Sequence, residues 1–422
     1  MGVHDITRTA TLPREHRRSI DIDTLMASGI QLASDPLTTN SALSAFVDRM
    51  IRLESNMTSM LLTSECGAYS VEVLDAVFER GWQPAELVHV LGRSTVKSAP
   101  QMAVSLIAEH ARRTRAMSTA PDEWKAQLLE LGVDPGTDLA RFRAVSSLNP
   151  RTFWTSLFRL LASVRRLRDM VEVGPPPSRW GESQPPSQGA DAKVLHRIRA
   201  LLAKAESSTF SAERETFSAK AQELMTEYSI DTAVLSQRGD DPADGVITRR
   251  FTVSNPYVDA KMKLLSSVAG PNGVRTVWYK RLGLIAVIGM PVDIELSELL
   301  YTSLLVQSAQ DLERVGTHSG LRSKGFRRSF LFGYADRIRE RLNEARVRAQ
   351  NSASERYGTA LVPLFQKRDQ AVASMVDELF PNLKTTRTSM SNTSGWGYGR
   401  QAAESADITG GREQLDETEG PR

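Results

Sequence analysis

The densest run of side chains able to do chemistry lies between Leu321 and Gln350. It holds Arg322, Lys324, Arg327, Arg328, Arg337, Arg339, Arg341, Arg346 and Arg348 against Asp336, Glu340 and Glu344, a local surplus of 9 − 3 = 6 positive charges. Eight of the nine are arginine, whose planar fork grips phosphate bidentately. The opening SGLRSKGFRRS spaces Gly and Ser so that backbone N–H groups can approach an anion, and a helix N-terminus is expected near Ser329. Arg322, Lys324, Arg327 and Arg328 are therefore a candidate contact patch for a nucleic-acid backbone. The competing reading is a solvated helix face whose arginine stems cover apolar surface.

Other chemistries find less material. In FGYADRI, Tyr334 and Asp336 are candidates for lining a cleft; for Asp336 the alternative is a structural ion pair with its arginine neighbours. Asp293, Glu295 and Glu298 fall in the first turns of a helix, where the dipole alone accounts for carboxylates. Cys66, the one cysteine, has no base nominated beside it and reads as a plain thiol between helices. The HExxH and HxE…CxxC sets that metal hydrolysis would want are absent from the sequence, and His89 and His110 read as polar helix-surface residues. Gly395, Gly397 and Gly399 follow a Ser/Thr-rich stretch and no strand, so they read as a flexible loop and not a phosphate loop. A helix-turn-helix over Gly81–Ala108 lacks base-reading side chains apart from Gln101, and ordinary helical packing is expected. No catalytic residue, metal or cofactor is assigned.

The 422 residues carry 53 basic and 50 acidic side chains, a net charge of +3, with 41% apolar and 24% charged residues. That composition suits a folded chain of two or three domains and excludes a histone-like wrapper. One cysteine excludes a disulfide framework and fits a reduced, cytoplasmic compartment. The N-terminus lacks a secretory apolar core, and no apolar run is long enough to span a membrane.

The elements that must position these residues follow from period and punctuation. Residues 1–18 are expected to be flexible and 19–173 to form an all-helical domain, with helices over Ser41–Leu62, Val71–Arg80, Pro84–Leu91, Ala99–Arg115 and Thr152–Val171 and one opened by Pro121. GPPPSRWGESQPPSQG marks a Pro-rich linker at 174–190. A helical hairpin follows at 191–235, its apolar stripes running through Ile198, Leu201 and Leu224. Residues 246–380 switch to mixed periods: strands at Val246–Val253, Val274–Lys280 and Leu284–Met290, helices at Asn255–Val268, Ile294–Val315, Leu321–Gln350 and Gln366–Leu379, and an edge strand at Thr359–Phe365. Leu284–Met290 is apolar on both faces, as a central strand would be. Residues 381–422 are expected to form a flexible acidic tail. The class is α+β, predominantly helical: an all-α N-terminal domain, a central helical hairpin, and a small antiparallel C-terminal sheet with packed helices.

The hairpin KVLHRIRALLAKAESSTFSAERETFSAKAQELMTEYSID resembles a bacterial and phage family, domain of unknown function 2786. The K-x-L-x-x-I-x-x-L-L-A-K-A-E run, the acidic start of the second helix and A-x-K-A-Q-E-L-M carry the likeness. GMPVDIELSELLYTSLLVQ, SFLFGYADRIRERL and, more loosely, YGRQAAESADI resemble the companion domain that often trails it. GWQPAELVHVL is similar to the helical extension of actinobacterial members. The resemblance implies a fold and no activity.

Three functions remain in play. The favoured one is a non-enzymatic nucleic-acid-associated or assembly protein using the Arg-rich segment. The next is a protein-interaction module built on the hairpin. The third is an enzyme, hydrolase-like, with a cleft at Tyr334 and Asp336.

Overall fold

A computed structural model of the chain describes residues 21–34, 40–56, 59–94, 96–181, 198, 200, 204, 245–315, 323–357, 361–384 and 392–406. They divide into two compact units, Met1–Gly181 and Glu182–Arg422. The class is as expected: among the described residues there are fourteen α-helices and one three-stranded antiparallel sheet. The hairpin at 191–235 lies outside the described residues except at positions 198, 200 and 204, as do 1–18 and 182–190 entirely.

The first unit is all helix: α1 (Ile22–Ser34), α2 (Asn40–Asn56), α3 (Ser59–Phe78), α4 (Pro84–Gly92), α5 (Ala99–Arg113), α6 (Ala116–Thr119), α7 (Asp122–Glu130), α8 (Leu139–Val145) and α9 (Pro150–Arg165). Asn149 caps α9 by accepting the Thr152 N–H at 2.8 Å, and Pro150 fills the first turn. That helix buries Phe153, Trp154, Leu157, Phe158, Leu160 and Leu161. Cys66 is not between helices but inside α3 and fully buried. Gly67, next to it in α3, admits α8: a Cβ on it would stand 3.2 Å from the Leu139 Cβ. The second helix of the supposed helix-turn-helix, α5, buries Met102, Ala103 and the whole run Ser105–Ala111, so ordinary packing accounts for it.

Residues 174–181, expected to open the Pro-rich linker, pack on the first unit. Residues 167–181 lie back across the loop that follows α3. Arg80 Nη1 donates to the Leu167 carbonyl at 2.7 Å, Trp82 Nε1 to Arg168 at 2.8 Å and Gln83 Nε2 to Val173 at 3.3 Å. Glu79 accepts both the Ser178 N–H and its hydroxyl at 2.7 Å. Trp180 meets Trp124 edge-on, ring centroids 5.0 Å apart. Gly81, at φ +86°, lets the strap approach, since a Cβ there would lie 2.6 Å from the Met170 carbonyl oxygen. An extended proline segment needs little ordering, and these bonds with one aromatic anchor hold it down.

The second unit is built on β1 (Ile247–Thr252), β2 (Arg275–Tyr279) and β3 (Leu284–Gly289), in the order β1-β3-β2. β3 is central, pairing Arg250↔Ala286 on one side and Val277↔Ala286 on the other, and every residue of it is buried. One face packs on α10 (Val258–Ala269) and α11 (Pro291–Val315): Ile285 and Val287 meet Met262, Leu265 and Ile294. The other face, through Ala286 and Ile288, meets Val372, Met375 and Val376 of α13 (Leu361–Leu379). The expected edge strand at Thr359–Phe365 is thus a correction: from Leu361 the chain is helix, and Pro363 sits in the first turn, where its missing N–H leaves nothing unpaired.

Between α11 and α13 runs the 34-residue α12 (Lys324–Tyr357). The supposed flexible tail is corrected in part as well. Residues 392–406 carry α14 (Thr393–Ser405), whose Ala402 and Ala403 join Phe330, Tyr334, Ile338 and Leu342 of α12 in a core shared with α10 and α11. Three helix-weakening glycines hid it. Two of them face α12: a Cβ on Gly395 would stand 2.6 Å from the Phe326 carbonyl oxygen, and one on Gly399 would overlap that of Phe330. Tertiary contact here overrides propensity. No helix among the described residues is long and apolar enough to cross a membrane.

Candidate functional site

The Arg-rich segment is a helix from Lys324 onward, starting earlier than Ser329. Ser323 caps it, its hydroxyl accepting the Phe326 N–H at 3.1 Å. Lys324 and Arg327 in its first turn are exposed and form no ion pair among the described residues. Arg322 lies outside those residues. Arg328 turns inward. Its Nε and Nη2 donate to Asp259 Oδ2 at 3.0 and 2.6 Å, and its guanidinium lies 4.7 Å from the centre of the Phe332 ring. A guanidinium committed to a carboxylate and a ring is not offered to phosphate, so Arg328 leaves the contact patch.

Farther along α12 the same holds turn by turn. Arg337 grips Glu404 with two nitrogens and reaches Glu340 at 3.0 Å. Arg400 forks onto Glu340 at 2.7 and 2.8 Å. That fork, with Arg337 behind it, holds the Glu340 carboxyl down to about 2, and Arg337 lowers Glu404. Arg341 is buried and donates to the Ala403 and Ala406 carbonyls, which end α14. Arg346 donates to Asp369 at 3.0 Å and to the Pro271 carbonyl at 3.2 Å. Most of the local surplus is therefore internal wiring, with Arg348 exposed near the far end.

Tyr334 and Asp336 do not share a cleft. Two residues apart on a helix, they point in widely different directions. Tyr334 is fully buried, stacked 6.3 Å from Phe330. Asp336 faces outward, 3.2 Å from Lys263 Nζ, and accepts the Trp396 indole N–H at 3.2 Å. Asp293 is buried in the first turn of α11 and bonded to Arg368 at 3.0 Å. Glu295 sits 3.9 Å from Arg249.

The remaining candidates are structural. His110 is buried, not at the surface, with Nε2 2.9 Å from Asp75 Oδ1 and its ring edge-on to Phe78. Burial, with the Glu65 charge adding, pushes the Cys66 thiol up to about 12, far from a thiolate nucleophile. No group of three His, Cys, Asp or Glu that could hold a metal ion occurs among the described residues. Tyr398 escaped the sequence reading because SGWGYGR reads as a loop; the i, i+4 spacing of Gly395 and Gly399 was the available signal. Tyr398 is 43% exposed, and its ring lies 6.0 Å from that of Phe326, which stands between Lys324 and Arg327 in the chain.

Residues 193–232 match the family described as protein of unknown function (DUF2786). This supports the likeness seen in the hairpin over a small part of the chain. No curated protein matches the chain. No solved structure matches it either.

Proposed function

We propose that the protein associates with nucleic acid through the phosphate backbone, as a binding and not a catalytic protein, with Lys324 and Arg327 as the contact cations. One observation carries this reading. These two side chains stay exposed and unpaired among the described residues, whereas Arg328, Arg337, Arg341 and Arg346 are committed within the fold. Cations without partners release counterions when they meet phosphate, and cations already in ion pairs do so far less. Arg322, next to them in sequence, would extend the patch. The protein works in this reading in the reducing cytoplasm, where buried Cys66 stays a thiol.

The two alternatives have less support. Ile198, the one apolar residue of the hairpin stripe that is described, is fully buried in the core of the second unit. That leaves it unavailable to a docked protein. Tyr334 and Asp336 face apart and line no common cleft. Fluorescence titration of the protein with DNA and RNA at two salt concentrations tests the proposal. Binding that weakens as salt rises, and weakens again in Lys324→Ala/Arg327→Ala, is expected; absent or salt-indifferent binding overturns it.

A further inference from the structure

Lys324 and Arg327 share the first turn of α12 with Phe326, and Phe326 is the residue through which α14 meets this turn. Tyr398 presents an exposed ring, steadied from beneath by Phe326. The exposed residues of α14 on this stretch, Thr393, Ser394, Gly397, Tyr398 and Gln401, include no acidic group. The first carboxylate, Glu404, is held by Arg337. Gly397 differs from its two neighbours in the glycine series. Packing requires Gly395 and Gly399, but a Cβ on Gly397 would meet no atom within 4 Å. Glycine inside a helix is destabilising relative to alanine, and no contact among the described residues offsets that. Bare backbone beside an exposed ring is what close approach of a flat ligand needs.

We propose that Lys324, Arg327, Gly397 and Tyr398 form a shelf for single-stranded nucleic acid, with an unpaired base lying on Tyr398 over Gly397 and its phosphates at the two cations. The inference rests on the nucleic-acid reading above and adds the class of strand. A duplex offers phosphates to Lys324 and Arg327 as readily, but its base faces are stacked on each other and cannot reach the ring. Stacking on an aromatic side chain tolerates any base, so the shelf selects unpaired strands without selecting a sequence.

Fluorescence anisotropy of the full chain with a labelled oligothymidine and a labelled duplex of equal length tests this. The single strand binds more tightly. Tyr398→Ser weakens single-strand binding about tenfold and leaves the duplex unchanged, whereas Tyr398→Phe keeps wild-type behaviour. Gly397→Leu gives the same selective loss while its thermal midpoint does not fall, because leucine favours helix and its Cβ meets no atom within 4 Å among the described residues. Equal binding of both forms, unchanged in Tyr398→Ser and Gly397→Leu, overturns the shelf and leaves the phosphate contact standing. Binding of neither form overturns both.

Discussion

Gly399 lies directly against the carbonyl of Phe330, so that α14 and α12 touch backbone to backbone. A Cβ on Gly399 would overlap that oxygen, and one on Gly333 would overlap the Trp396 carbonyl from the opposite side. Neither obstacle is the flexible end of a side chain, so a methyl group must push the helices apart. Gly399→Ala and Gly333→Ala are each expected to cost about 1–3 kcal/mol, the usual range for overpacking, although alanine favours helix. Urea denaturation followed by circular dichroism measures this, and an unchanged midpoint in both variants would refute the crossing as described.

Arg341 makes the second tie between these helices. It is buried, and its guanidinium satisfies two carbonyls at the end of α14. Arg341→Met leaves those acceptors unpaired and is expected to cost about 2–3 kcal/mol. The neighbouring Arg339→Met, half exposed and 3.8 Å from Asp336, is expected to change stability by less than about 0.5 kcal/mol. Comparing the two by denaturant titration separates burial from charge.

The Glu340 network sets an acid limit. Its carboxyl is held well below its ordinary value, so the folded state binds the proton more weakly than the unfolded chain. The contribution is complete above the ordinary carboxylate range and disappears as pH falls through about 2. Thermal midpoints measured on stepping down through this range fall in the wild type. Glu340→Gln starts lower near neutrality and falls less steeply; equal pH slopes would contradict the network.

Trp180 anchors the strap of the first unit. Trp180→Ala removes a half-buried ring and is expected to cost about 2 kcal/mol, roughly half the loss for a core tryptophan. Trypsin cleavage after Arg168 and Arg179 should accelerate as residues 167–181 lift from Glu79–Gln83. Unchanged cleavage would mean that the backbone bonds hold the strap without the ring.

What the sequence disclosed follows the reach of its local signals. β3 was legible as a central strand because Leu284–Gly289 is apolar on both faces, and α9 because its apolar stripe repeats at helical spacing. The helix at Thr393–Ser405 was not, since Gly395 and Gly399 are explained only by a partner helix some seventy residues earlier. The strap was missed for the converse reason. GPPPSRW has linker composition, yet Trp180 finds a slot at Trp124 that no local pattern announces. The site divides likewise. Lys324 and Arg327 were visible as charges, but the capture of Arg328 by Asp259 is a contact across the fold, and the net charge of the segment did not reveal which cations were already engaged.

The central claim is that Lys324 and Arg327 hold phosphate. Its most direct measurement is the slope of log K against log salt for a labelled oligothymidine, for the wild type and for Lys324→Ala/Arg327→Ala. Each lost phosphate contact on a single strand lowers the slope by about 0.7, so the double variant is expected to be shallower by about 1.4. Arg328→Ala, which removes the partner of Asp259 and the guanidinium over the Phe332 ring, is expected to leave the slope unchanged. A double variant with the wild-type slope would contradict the account.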